Sequence, residues 1–207
     1  MINKCIGVLV LMNVFFGFSQ SVVKKSFLNP EVNAIHIDGT NLSVVQVATY
    51  SGKEVLVEAT IEGEYTKDLF ISLKEESPAL YIAANFKPSF KKPNDKLSAH
   101  KVLSIVLNIT IPKDRNVSFL GTNTNFHGRG KFTNLKVALT DGYCQLAQVS
   151  GAVSVVTQSG DILVSNTKGK FSLKSTYGIV EKDVMPPSKS HFNLSTSTGN
   201  IQVKKMK

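Results

Sequence analysis

Residues 153–164 read Val153-Ser-Val155-Val-Thr-Gln-Ser-Gly160-Asp-Ile162-Leu-Val164. Period-two alternation puts Val153 and Val155 on one face of a short strand, and Ile162 and Val164 on one face of the next. A polar turn carrying Gly160 separates the two. Such a unit cannot bury its apolar face alone, so it requires copies of itself to stack upon.

Copies surround it. Gly142, Gly160 and Gly178 are spaced by 18 residues, as are Gly151 and Gly169. The apolar positions keep that step in three series: Val117, Leu135, Val153 and Phe171; Phe119, Val137, Val155 and Leu173; Phe126, Cys144, Ile162 and Val180. The next copy follows after 21 residues, with Phe192, Leu194, Gly199, Ile201 and Val203, and its extra three residues fall in Pro186-Pro187-Ser188-Lys189. One register kept by several independent series is the signature of a repeat architecture. The sequence predicts a short parallel β-helix or β-solenoid over residues 116–207, with about 18-residue rungs. Strands stack ~4.8 Å apart, so about five rungs make a stub roughly 20–25 Å long. Glycine at the corner is expected where the chain turns sharply, with positive φ as the anticipated reason. Thr124 replaces it in the first copy, which predicts an irregular rung there.

Ahead of the repeats, residues 20–115 read as β-strands without a fixed period. Candidates are Ala34–Ile37, Val44–Val47, Val55–Ile61, Leu69–Leu73, Leu80–Ala84 and Val102–Ile111, with turns at Asp38–Asn41 and Ser51-Gly52. β-Branched residues and short turn-rich gaps support them, and no window carries a sustained helical period. The fold class is therefore all-β. The N-terminal strands are expected to cap the first rung, and Lys204-Lys205-Met206-Lys207 to give the last strand a charged exit. Lys87–Lys96, with two prolines and four lysines, reads as a loop.

Residues 1–19 form a separate segment. Lys4 precedes an apolar run from Cys5 to Phe18 that ends at Ser19. This is the pattern of a cleaved signal peptide, and a run of ~14 residues is short of the ~20 needed to span a bilayer. No transmembrane segment is then expected after cleavage. The expected location is exported: periplasm, outer-membrane surface or extracellular. Cleavage leaves Cys144 as the single cysteine, hence no internal disulfide, and its place in the repeat makes it a small buried hydrophobe.

Ile109-Thr-Ile111-Pro112-Lys113-Asp114, the turns Ser159–Ile162 and Thr198–Ile201, and the 18-residue ladder together resemble a known family. It is the family of putative adhesin domains of bacterial exported proteins, domains of unknown function that in Bacteroidetes carry signal peptides ending, as here, in Phe-Ser-Gln. The resemblance covers roughly residues 33–203. It implies a β-solenoid with antiparallel strands in front and supplies no catalytic residues.

Chemistry is sparse in the sequence. His36, His100, His127 and His191 lack metal-ligand spacing. His127-Gly128-Arg129-Gly130-Lys131 fails as a phosphate loop, because Asn125 stands where the first glycine is required. Parallel β-helices that process glycans need paired carboxylates or a cation-binding cluster of them. After Asn116 the acids are Asp141, Asp161, Glu181 and Asp183, and acids at turns more often serve the turns themselves. No catalytic, metal or cofactor residues are assigned, and no cofactor is expected.

Charge is uneven. Residues 20–115 hold 12 Lys/Arg and 11 Asp/Glu, whereas residues 116–207 hold 11 and 4. Arg129, Lys131, Lys168 and Lys170 occupy similar turn positions and are expected about 10 Å apart on one edge, two rungs of spacing. That edge suits an anionic partner at the cell surface, an acidic surface glycan or lipid head groups; another envelope protein is the other partner considered. Export and the lack of aromatic–basic interleaving exclude nucleic acid. The reading is a non-enzymatic exported cell-envelope protein, an adhesin-like binding or structural module. The alternatives are a glycan-processing β-helix enzyme and a periplasmic envelope-stress or scaffold component.

Overall fold

The computed structural model of the protein describes residues 20–27, 31–63, 68–90 and 103–205. The expected signal peptide, His100 and most of the Lys87–Lys96 loop lie outside these residues. Through its parallel strands the chain winds rather than folding back on itself. Each winding lays one strand on a first face, passes a corner, and lays the next strand on a second face.

On the first face the parallel order is β6 (Ala79–Phe86), β2 (Ala34–Asp38), β8 (Asn116–Asn123), the second half of β9 (Asn125–Asp141), the second half of β10 (Cys144–Thr157), β14 (His191–Thr196) and β12 (Lys170–Ser175). On the second face it is β7 (Leu103–Pro112), β3 (Val44–Tyr50), the first halves of β9 and β10, β11 (Ile162–Ser165), β15 (Ile201–Lys204) and β13 (Val180–Lys182). The two orders match one to one, giving stacked rungs from β6/β7 to β12/β13. At the β6/β7 end, β4 (Glu54–Gly63) pairs antiparallel with β7, β1 (Gln20–Phe27) with β4, and β5 (Leu69–Glu76) with β6. Among the described residues there is no α-helix. The fold is the all-β solenoid that the 18-residue step predicts, with antiparallel strands at one end.

Two features differ from the expectation. The parallel ladder does not begin at residue 116, because β2 is hydrogen-bonded between β6 and β8, so rungs built from residues 34–50 and 79–112 continue the stack. One hydrophobic core runs through the whole, from Ile35 and Val57 to Leu194 and Ile201. The rungs also do not stack in chain order at the other end. Val153 neighbours Phe192 rather than Phe171, and Phe171 lies beyond Phe192. The last rung of the sequence, β14/β15, is thus inserted between β10/β11 and β12/β13.

Lys182 gives the physical reason. Its register position is opposite Val203, which in turn is opposite Val164. Stacked in chain order, Lys182 would lie between these two fully buried valines, and an unpaired buried ammonium is costly. At the terminal rung it is exposed, with Nζ 5.4 Å from the centroid of the Phe171 ring. The three extra residues before β14 serve the return step. There the Ser188 hydroxyl donates to the Lys168 carbonyl (2.7 Å), and the Gly169 N–H donates to the Pro186 carbonyl (3.1 Å). The stretch Lys204-Lys205 accordingly leaves an inner rung, not the last one.

Corner glycines are required by close approach more than by φ. A Cβ on Gly160 would lie 2.1 Å from the Gly142 carbonyl oxygen, one on Gly199 2.2 Å from that of Gly160, and one on Gly178 2.0 Å from that of Gly199. Of these four stacked glycines, Gly142 alone has positive φ, +100°. Thr124 heads the stack without irregularity, its hydroxyl donating to the Gly39 (3.0 Å) and Leu42 (2.8 Å) carbonyls. Hydroxyls three residues before the glycines fasten the later corners: Thr157 donates to the Gly160 carbonyl (2.6 Å), and Thr196 and Ser175 accept from the Gly199 (3.1 Å) and Gly178 (2.9 Å) N–H groups.

This geometry makes a sharp prediction. At an ordinary φ, Gly→Ala stabilises by about 0.4–1 kcal/mol through the unfolded chain. Gly160→Ala should instead lower the melting temperature, and Gly160→Val should lower it further, at or above the ~1–3 kcal/mol typical of overpacking. Thermal unfolding followed by circular dichroism decides the matter; a raised melting temperature for Gly160→Ala would remove the close-approach account.

Candidate binding surfaces

Parallel stacking converts a residue at one strand position into a row across the face. On the outside of the second face, Gln46, His127 and Gln145 stand in register on β3, β9 and β10. His127 Nδ1 and Gln145 Oε1 are 3.0 Å apart, and the Tyr143 ring meets the imidazole edge-on at 6.4 Å between centroids. Gln46, His127, Gln145 and Arg129 line a shallow depression of about 400 Å³. The backbone beneath is a hydrogen-bonded ladder, so amide, imidazole and guanidinium groups are held at the ~4.8 Å spacing of strands. Such a set donates to and accepts from hydroxyls, and an exposed guanidinium can clamp a carboxylate with two parallel hydrogen bonds.

Of the four basic residues expected on one edge, Arg129 lies closest to this row, two positions after His127 on β9. Lys131 sits just past it and ion-pairs with Asp114 at 3.0 Å. Lys168 lies in the turn after β11, and Lys170 opens β12. Insertion of β14 places Lys170 three ladder steps from β9, in the order Asn134, Ala152, His191, Lys170. That is roughly 14 Å, one rung more than chain-order stacking would give. Arg129 and Lys131 therefore lie beside the polar row and Lys170 on the terminal rung, while Lys168 follows Thr167, whose hydroxyl still accepts from the Val149 N–H of the neighbouring rung (3.3 Å).

The sequence carries a signal for Gln145 but none for Gln46, which no fixed step links to His127. His127 and Gln145 are 18 residues apart, a polar series running beside the apolar ones. His127 lies within a strand, not beside a turn. His36 lies on the outside of the first face, hydrogen-bonded to Ser118 and stacked on Tyr81 at 4.9 Å between centroids.

The acids after Asn116 serve the backbone or a neighbouring rung. Asp141 accepts from the Gly142 N–H (2.9 Å), Asp161 from the Asn200 N–H (2.7 Å) and Asp183 from the Lys205 N–H (2.8 Å). Glu181 accepts from the Gln202 amide (3.2 Å). Asp161 is part of a chain of cross-rung bonds in which Asn125 accepts from the Tyr143 N–H and Asn200 from the Ile179 N–H. No group of acids, histidines or cysteines able to hold a metal occurs among the described residues. No helix among them is long and apolar enough to cross a membrane.

Seven parallel windings around one apolar interior define a β-solenoid. Residues 107–207 match the family described as Toastrack DUF4097, a domain of unknown function, so the resemblance to the putative adhesin domains is borne out. The fold is similar to that of a putative cell adhesion protein from Clostridium sporogenes, 16% identical over 91% of this chain and 100% of that one, with a TM-score of 0.66. A putative adhesin from Bacteroides fragilis is 14% identical over 91% of this chain and 99% of its own, with a TM-score of 0.39. At these identities the Clostridium likeness speaks to the fold alone, and the Bacteroides one adds nothing to it. No curated protein matches the sequence.

Cys144 is fully buried in the interior row between Phe126 and Ile162, as its place in the repeat implies. Burial disfavours its thiolate and pushes the thiol well above its ordinary pKa. A thiol there should resist alkylation even at pH 9, where a free cysteine is largely thiolate. Iodoacetamide labelling of residues 20–207, followed by mass spectrometry, should show modification only after denaturation. Fast labelling of the folded protein would contradict the interior assignment.

Proposed function

We propose that this protein is a non-enzymatic, exported binding module of the cell envelope, and that the polar row Gln46–His127–Gln145 with Arg129 receives an acidic glycan. The observation that carries the reading is the row itself: hydroxyl-seeking groups at fixed spacing on a rigid face, beside an exposed guanidinium that has no side-chain partner among the described residues. The name of the Clostridium sporogenes neighbour points in the same direction, and so does the export expected from residues 1–19. The commitment of the four acids after Asn116 to backbone and amide groups favours binding over glycan hydrolysis, which needs two carboxyl groups poised about a scissile bond.

Binding should be weak and salt-sensitive, as expected for a shallow, charge-assisted contact. On an array of acidic and neutral glycans, the purified protein should be retained by acidic ones at low salt and less so at physiological salt. Arg129→Ser should weaken retention about ten- to a hundredfold, in keeping with loss of ~1.5–3 kcal/mol for a hydrogen bond to a charged group. Lys131→Ser should matter less, because Lys131 is already paired with Asp114. Retention that is unchanged when Arg129, Lys131, Lys168 and Lys170 are all replaced would overturn the proposal, as would preference for neutral glycans.

A further inference from the structure

The end of the solenoid formed by β12 and β13 combines three properties that occur together nowhere else among the described residues. Its interior is open: Phe171 and Leu173 are half-buried and Val180 is 42% exposed, whereas their counterparts Phe192, Leu194 and Ile201 are buried. Large apolar side chains project from the same rung and the turn after it, with Tyr177 82%, Ile179 67% and Val184 93% exposed. The surrounding charge is basic. From residue 166 to 205 there are seven lysines and two acids, and both acids are engaged, Glu181 by Gln202 and Asp183 by the Lys205 N–H.

Exposed strand edges ordinarily invite another strand, and this one is guarded against it. β13 is three residues long, Lys182 occupies an interior position, and Pro186-Pro187 follow. Short edges, inward charges and proline are the devices that block edge-to-edge pairing. A second copy meeting the same end would also bring lysines against lysines. Apolar tips ringed by lysines instead match an interface in which hydrocarbon lies just beneath anionic headgroups. Tyrosine suits that boundary, with an apolar ring and a polar hydroxyl.

We infer that the β12/β13 end docks onto an anionic lipid surface, inserting Tyr177, Ile179 and Val184 at headgroup depth while Lys170, Lys174 and Lys182 contact lipid phosphates. The inference stands independently of glycan binding, which it places on the side of a solenoid standing on its end.

The absence of tryptophan from the chain makes a clean test available. Tyr177→Trp introduces a single fluorophore at the tip, and Tyr81→Trp places one on the side of the solenoid as a control. With vesicles of phosphatidylcholine containing phosphatidylglycerol, Tyr177→Trp emission should shift to the blue, while Tyr81→Trp should not respond. Pure phosphatidylcholine should give about tenfold weaker binding. Adding Lys170→Gln and Lys174→Gln, or Ile179→Ser and Val184→Ser, should each weaken co-sedimentation with the anionic vesicles about tenfold, with the circular dichroism spectrum unchanged. No blue shift, or an equal shift with both tryptophans, would overturn the inference. So would an equal shift with a soluble acidic polysaccharide, which would make the end a glycan site. A protein-concentration-dependent shift without vesicles, accompanied by dimer in light scattering, would make it a self-association surface and equally refute lipid docking.

Discussion

The structure depends on the close backbone approach at the glycine corner. Rungs stack at strand spacing only if the carbonyl of one corner can enter the space where the next would carry a Cβ. Gly142, Gly160, Gly199 and Gly178 leave that space empty in succession. With the corners nested, the strands on both faces fall into register, and interior side chains meet their equivalents above and below. The same nesting aligns the outside, so polar residues at equivalent positions become rows. The interior rows stabilise the fold, and the exterior rows give it a surface with regular spacing.

Local reading of the sequence recovered the winding well. The 18-residue step, the interior series through Val153 and Ile162, and the buried Cys144 all follow from side-chain alternation, which is a property of neighbouring residues. The strands from Ala34 to Ile111 were also legible, but not their membership in the stack. Residues 34–50 pair with residues 79–86 and 103–112 on one side and with 116–129 on the other, and no fixed period links those segments.

Rung order was the part a repeat could not reveal. Copies with the same pattern can stack in any order that satisfies their interiors, and the 21-residue step looked like a simple loop insertion. The residue that distinguishes them is Lys182, which breaks an otherwise apolar row and belongs at an open end. That one substitution in the pattern carries β12/β13 outward and draws β14/β15 inward. It also moves Lys170 one rung further from Arg129 and Lys131 than chain order would place it. The candidate glycan row was missed for a different reason: the polar series at His127 and Gln145 obeys the same period but does not help to bury anything.

Rung order therefore underlies both the fold and the surfaces assigned to it, and one cross-linking measurement tests it directly. Ser154 and Asn193 are register neighbours on adjacent strands, whereas chain-order stacking would make Ser172 the neighbour of Ser154. Neighbouring strands bring Cα atoms within the ~4.4–6.8 Å range a disulfide tolerates, and a two-rung gap does not. Under mild oxidation, Ser154→Cys with Asn193→Cys should form an intramolecular disulfide, and Ser154→Cys with Ser172→Cys should remain reduced. The opposite result would restore chain-order stacking and contradict the inserted rung.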